Sequence, residues 1–136
     1  RFNMFSMTNR DDLLSIISDM NKEIHGVRPS LAPFNSQTET ELQAEIERLQ
    51  PLVEEIVAHE KMIDAVCITR FNDEVTTFIQ QGATNRNTAI RWMLQAQGYD
   101  ETLDDADCIC FNNGINPFIP AGKEIFEEVE AAIETL

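Results

Sequence analysis

The chain is poor in the residues from which most reactive sites are built. Its three cysteines are Cys67, Cys108 and Cys110. An odd number without regular spacing excludes the disulfide framework of a small secreted domain. Cys108 and Cys110 form C-x-C, which is neither the redox C-x-x-C nor half of a zinc ribbon. On a helix two such thiols point about 200° apart and do not chelate one metal easily. Buried, apolar-like thiols are the expectation. Glycine is scarce as well. Five glycines, none close together, exclude a phosphate-binding loop. No apolar run approaches the roughly 20 residues that span a bilayer.

Histidine is rarer still, with only His25 and His59. His59 precedes Glu60, but no second histidine follows four residues on, so the helical zinc-hydrolase motif is absent. His25 precedes Gly26, where an imidazolium suits a helix C-terminus. The acid series Asp100, Glu101, Asp104, Asp105, Asp107 has neither the glycine nor the register of a calcium-binding EF-hand loop. No catalytic residue, cofactor site or metal site is expected. Basic residues number only 10 against 24 acids. Counterion release therefore works against direct nucleic-acid binding. Arg86 and Arg91, beside Trp92, are expected to pair with acids on neighbouring helices instead.

What the chain does have is helical patterning. Its 136 residues, 43% of them apolar, suit a single core-bearing domain. The fold class expected is all-α, with about five helices. Residues 1–7 read as a disordered leader or an expression remnant, and 8–136 as one helical domain. A first helix should start near Thr8, with Asp11 completing a capping box. Leu13, Ile16, Ile17, Met20 and Ile24 form its apolar face, and Gly26 ends it. Pro29 and Pro33 exclude a regular helix over 27–37. Leu31 and Phe34 are expected to tuck that connector against the core.

Thr38 and Glu41 form the next capping box. Leu42, Ile46, Leu49, Val53, Ile56, Ile63 and Cys67 then follow as a heptad seam. This seam can serve a helical hairpin within the chain or a homodimer. Pro51 lies inside it, and a kinked or broken helix is the expectation there. Gly82 should close the segment. Thr84 or Asn85 caps a short helix in which Ala89, Ile90, Trp92, Met93, Leu94 and Ala96 make most of the circumference apolar. Gly98 ends it. A short helix or turn over 104–111, a breaker-rich loop and a helix from Gly122 to about Thr135 complete the chain. Ile125, Phe126, Val129 and Ile133 form the face of that last helix. Ile115 to Ile119 is the best of the weak strand candidates.

The net charge of −14 is segregated. Residues 1–38 are neutral overall. Residues 39–64 set eight acids against Arg48 and Lys61, and residues 65–99 carry a small positive excess. Residues 100–136 set ten acids against Lys123. Such a surface repels nucleic acid and anionic membrane and attracts basic partners. The candidate interaction residues are Glu39, Glu41, Glu45, Glu47, Glu54 and Glu55 in the first block. In the second they are Asp104, Asp105, Asp107, Glu124, Glu127, Glu128, Glu130 and Glu134. Duplex DNA carries one charge per roughly 1.7 Å, and a helix rises about 1.5 Å per residue, so a glutamate-rich helix can imitate DNA's charge density.

Three segments carry a family likeness. They are Ile24-His25-Gly26-Val27-Arg28-Pro29, Thr88-Ala89-Ile90-Arg91-Trp92-Met93-Leu94 and Asn113-Gly114-Ile115-Asn116-Pro117. Together, over about residues 8–118, they resemble small accessory proteins encoded by tailed bacteriophages. The resemblance implies expression in a bacterial host cytoplasm. It also implies an accessory role, such as blocking a nuclease, restriction or CRISPR complex, or polymerase. The expected partner is a basic, nucleic-acid-handling host protein, with no direct nucleic-acid or membrane binding. The alternative is an assembly protein that forms a coiled-coil homodimer.

Overall fold

The computed structural model describes residues 9–100 and 104–136. Thr8, the leader 1–7 and residues 101–103 lie outside the described residues. The described residues form five α-helices and one 3-10 turn and contain no strand. Ile115–Ile119, the strand candidate, is loop and turn, with Ile115 buried. The helices are α1 (Arg10–His25), α2 (Glu39–Gln80), α3 (Arg86–Ala96), α4 (Ala106–Asn112) and α5 (Pro120–Ile133). The chain divides into two compact units, Arg1–Glu60 and Lys61–Leu136. The boundary falls inside α2, and each unit has its own core.

In the N-terminal unit α1 is capped by Asn9, whose side-chain oxygen accepts from Asp11 N–H at 2.7 Å. Asp11 and Asp12 sit in the first turn, where the helix dipole favours them. Gly26 ends the helix as expected, its N–H donating to Lys22 C=O at 2.7 Å. The connector folds back along α1. Arg28 donates to Ser18 and pairs with Asp19, both on α1. At the other end Arg10 donates to the carbonyls of Phe34 (2.9 Å) and Asn35 (2.8 Å) and to that of Gln37. One arginine thus ties the starts of α1 and α2 together. Leu13, Ile17 and Met20 of α1 then meet Leu42, Ile46 and Leu49 of α2 in a sealed cluster. Ile16, Ile24, Phe34 and Val53 pack around it. Each fully buried aliphatic side chain contributes on the order of 1.5–3 kcal/mol.

The Thr38–Glu41 capping box forms reciprocally: Glu41 N–H donates to Thr38 Oγ1 (3.2 Å) and Thr38 N–H to a Glu41 carboxylate oxygen (3.0 Å). The expected break at Pro51 does not occur. α2 is one helix of 42 residues with Pro51 inside it. Proline removes one N–H and crowds the carbonyl four residues earlier, that of Glu47. Glu47 and Pro51 are both exposed, so water can satisfy the freed carbonyl. Leu49 and Val53, on either side of Pro51, are held in the α1 cluster. Packing on both sides of the proline keeps the helix continuous.

The C-terminal unit is built on the second half of α2. Phe71 and Val75 join Ala89, Ile90, Met93 and Leu94 of α3, Ile109 and Cys110 of α4, and Ile125, Val129 and Ala132 of α5. Gly82 and Gly98 close α2 and α3, and Asn85 caps α3 by accepting from Thr88 N–H at 2.9 Å. α3 is central, but not around its whole circumference. Trp92 is 38% exposed and Ala96 is exposed too. Asp105 caps α4 by accepting from Cys108 N–H at 2.8 Å. α5 starts at Pro120, two residues earlier than expected, because proline suits a first helical turn. The α4–α5 loop is pinned to α2: Arg70 donates to Asn113 C=O (3.3 Å) and Asn116 to Asp64 (3.2 Å). At Gly114, with φ 72°, an added Cβ would lie 2.6 Å from Cys67 Sγ, so the loop can approach α2 only through glycine.

Candidate interaction surface

The two acidic blocks lie on different units, and each forms a different kind of surface. Glu39, Glu41, Glu45, Glu47, Glu54 and Glu55 are on the first part of α2. Helical geometry places Glu41 and Glu45 in one row and Glu47 and Glu54 in another, roughly 150° around the axis. Several already have work within the chain. Glu41 caps the helix, Glu45 pairs with Arg48, and Glu54 accepts from Gln50 at 3.2 Å. The Arg48 hydrogen bond holds the Glu45 carboxyl below its ordinary range.

α5 is different. Gly122, Ile125, Val129 and Ala132 are its buried side. Glu124, Glu127, Glu128, Glu130 and Glu134 fall within about 160° on the opposite side. Lys123 is the one cation in α5. Only Glu128 among the five has an ionic partner among the described residues. Arg86 grips it with two nitrogens (2.5 and 3.1 Å) and also donates to Asn72 on α2 at 2.7 Å. That grip lies in a cleft of about 690 Å³ between α2, α3 and α5. Arg86 therefore pairs as its sequence context suggested. Arg91 does not: it donates to Thr135 C=O (3.4 Å) and Thr88 Oγ1 (3.3 Å) and has no ion-pair partner among the described residues.

α4 packs against α5 and adds to this surface. Asp105 and Asp107 are exposed there, while Asp104 is half-buried and accepts from Asp100 N–H at 3.0 Å. Asp107 and Glu130 converge near Cys110. Burial pushes that thiol up to about 11, and the two carboxylates push in the same direction. The expectation of buried thiols holds for Cys67 and Cys110 but not for Cys108, which is exposed because the C-x-C spacing turns it to the other side of α4 from Cys110. No group of three or more His, Cys, Asp or Glu among the described residues could hold a metal. His25 and His59 are both exposed. No helix among the described residues is long and apolar enough to cross a membrane.

The heptad seam is largely used inside the chain. Leu42, Ile46 and Leu49 are sealed against α1, and Val53 packs on them. Cys67 is buried in the C-terminal unit. Ile56 is half-buried, and Ile63 is 46% exposed.

Two residues with no role in the sequence reading stand out on the C-terminal unit. Phe111 is 83% exposed and Phe118 94%. They flank a cavity of about 300 Å³ that Asp107, Cys110, Ile115, Pro117 and Phe126 also line. The available signal was Phe118 standing between Pro117 and Pro120, an apolar residue held where no helix can carry it inward. No family model, curated protein or solved structure matches the chain.

Proposed function

We propose that the protein acts by binding: it occupies and blocks a basic, nucleic-acid-handling protein, as a phage accessory protein in the host cytoplasm. The observation that carries this reading is the outer face of α5. Its five glutamates span Glu124 to Glu134, a rise of about 15 Å at 1.5 Å per residue. With Glu128 paired to Arg86, the four free glutamates give about one charge per 4–5 Å, the same order as the roughly 3.4 Å spacing of phosphates along one DNA strand. Four of the five have no ion-pair partner among the described residues. Their charge is therefore available to a partner. Asp105 and Asp107 widen the same negative surface. Imitation of a nucleic-acid strand follows from this spacing more directly than from α2, whose glutamates divide between rows.

The test is affinity capture from a bacterial lysate at low and high salt, with release by duplex DNA. A variant carrying Glu124→Gln, Glu127→Gln, Glu130→Gln and Glu134→Gln serves as the control. The expected result is a basic nucleic-acid-binding protein retained at low salt, released by DNA or high salt, and not held by the variant. Retention of no such protein at low salt overturns the proposal. Salt-insensitive capture that the variant retains overturns the electrostatic mechanism.

A further inference from the structure

We infer that the cavity between Phe111 and Phe118 is a docking pocket for one large apolar side chain of a partner segment, flanked in that segment by lysine or arginine. This deepens the proposed function and rests on its reading of a basic partner.

Isolated exposed apolar residues are common on protein surfaces. Two nearly bare phenylalanines on the rim of one cavity are not isolated. Each offers roughly 150–250 Å² of surface when fully covered. Phe111 is in the last turn of α4, and Phe118 sits in the loop before α5, so the two line one cavity only because the loop folds back. Between them the walls are apolar: Ile115, Pro117, Phe126 and the Cys110 side chain. The cavity, at about 300 Å³, is at the small end of ligand pockets. It suits one side chain better than a cofactor. The shape matches an interface hot spot, an apolar anchor set in a pocket with aromatic walls.

Charge identifies the occupant. Asp107 is part of the lining, and the charge of Glu130, exposed on the neighbouring α5, is felt at Cys110 in the cavity wall. The glutamate face of α5 continues from there. A second copy of this chain would bring the same acids against these, and like charges facing one another oppose association. An anionic membrane is repelled for the same reason. A segment with a central Phe, Leu or Trp and flanking Lys or Arg satisfies both the pocket and its rim. The apolar anchor would supply residence time, and the acids would supply encounter rate and salt dependence.

The test uses fluorescent ten-residue peptides with a central phenylalanine between lysine and arginine flanks. Anisotropy gives affinity, and amide NMR shifts locate the site. The comparison peptides replace the anchor by alanine, or the flanks by glutamate. The expected result is at least a tenfold loss for the alanine peptide and for the Phe111→Ala/Phe118→Ala protein, with shifts centred on Cys110 and Phe118. Asp107→Asn/Glu130→Gln should weaken binding and flatten its salt dependence. The α5 glutamine variant should keep the preference for phenylalanine over alanine. Equal binding of the phenylalanine and alanine peptides overturns the pocket while leaving the acidic-face reading intact. No binding of either basic peptide overturns both. Concentration-dependent self-association that Phe118→Ser abolishes also overturns the inference, because the pocket then takes a second copy.

Discussion

A Cβ built on Gly122 would lie 1.7 Å from the backbone oxygen of Asn116. The first turn of α5 therefore presses directly on the loop that carries Pro117 and Phe118. The obstacle is backbone, which cannot rotate away as a side chain does. Gly122→Ala should lower stability by about 3 kcal/mol or more, at the upper end of overpacking costs. Urea denaturation measures the loss. Faster amide exchange should centre on α5 and the loop before it.

Cys110 gives a pH dependence whose sign is set. Its thiol stays protonated in the folded chain up to about 11. In the unfolded chain it ionises near the ordinary value of about 8.5. Between those values the unfolded state binds fewer protons, so stability falls as pH rises. The contribution is complete below about 8.5 and lost by about 11. Thermal melts from pH 8 to 11 should show a shallower decline in Cys110→Ala than in the parent. At pH 8 a disulfide reagent should titrate exposed Cys108 quickly, and Cys67 and Cys110 only on unfolding.

Pro51 lies in the interior of α2 with its ring exposed. Replacing it with alanine restores an N–H for the Glu47 carbonyl and removes the steric conflict, at little loss of packing. Pro51→Ala should stabilise the N-terminal unit by about 1–3 kcal/mol. Slower amide exchange through residues 47–55 would accompany it. A neutral or destabilising result would mean that the ring itself packs in solution.

The seam residues separate internal packing from dimerisation. Ile46 is sealed between α1 and α2. Ile46→Asp places a charge there and should cost several kcal/mol, unfolding the N-terminal unit with no prior change in mass. Ile63→Asp, at an exposed position, should change stability by no more than about 0.5 kcal/mol. If light scattering finds a dimer in the parent chain that Ile56→Asp or Ile63→Asp dissociates, the assembly reading of α2 holds instead.

Much of the local structure was legible because it depends on neighbours in sequence. Thr38 with Glu41 and Asn85 with Thr88 are contacts three residues apart. Gly26, Gly82 and Gly98 end their helices for equally local reasons. Pro51 was not legible in the same way. Its local effect is to break a helix, and packing of Leu49 and Val53 on α1 overrode it. Arg86 and Arg91 show the same limit: identical side chains five residues apart, one gripping Glu128 and the other only carbonyl and hydroxyl oxygens.

The candidate surface divided along the same line. By itself the sequence determined that the chain is helical, acidic in two separate blocks, and without a recognisable catalytic motif. These properties follow from composition, periodicity and residue spacing. Only tertiary structure decided that Arg86 grips Glu128 and leaves the other four glutamates of the outer α5 face without an ion-pair partner among the described residues, because the two partners lie on helices far apart in sequence. Only tertiary structure set Phe111 and Phe118 on one cavity, since the proline-bounded loop holds Phe118 off the core and the last turn of α4 leaves Phe111 exposed to solvent.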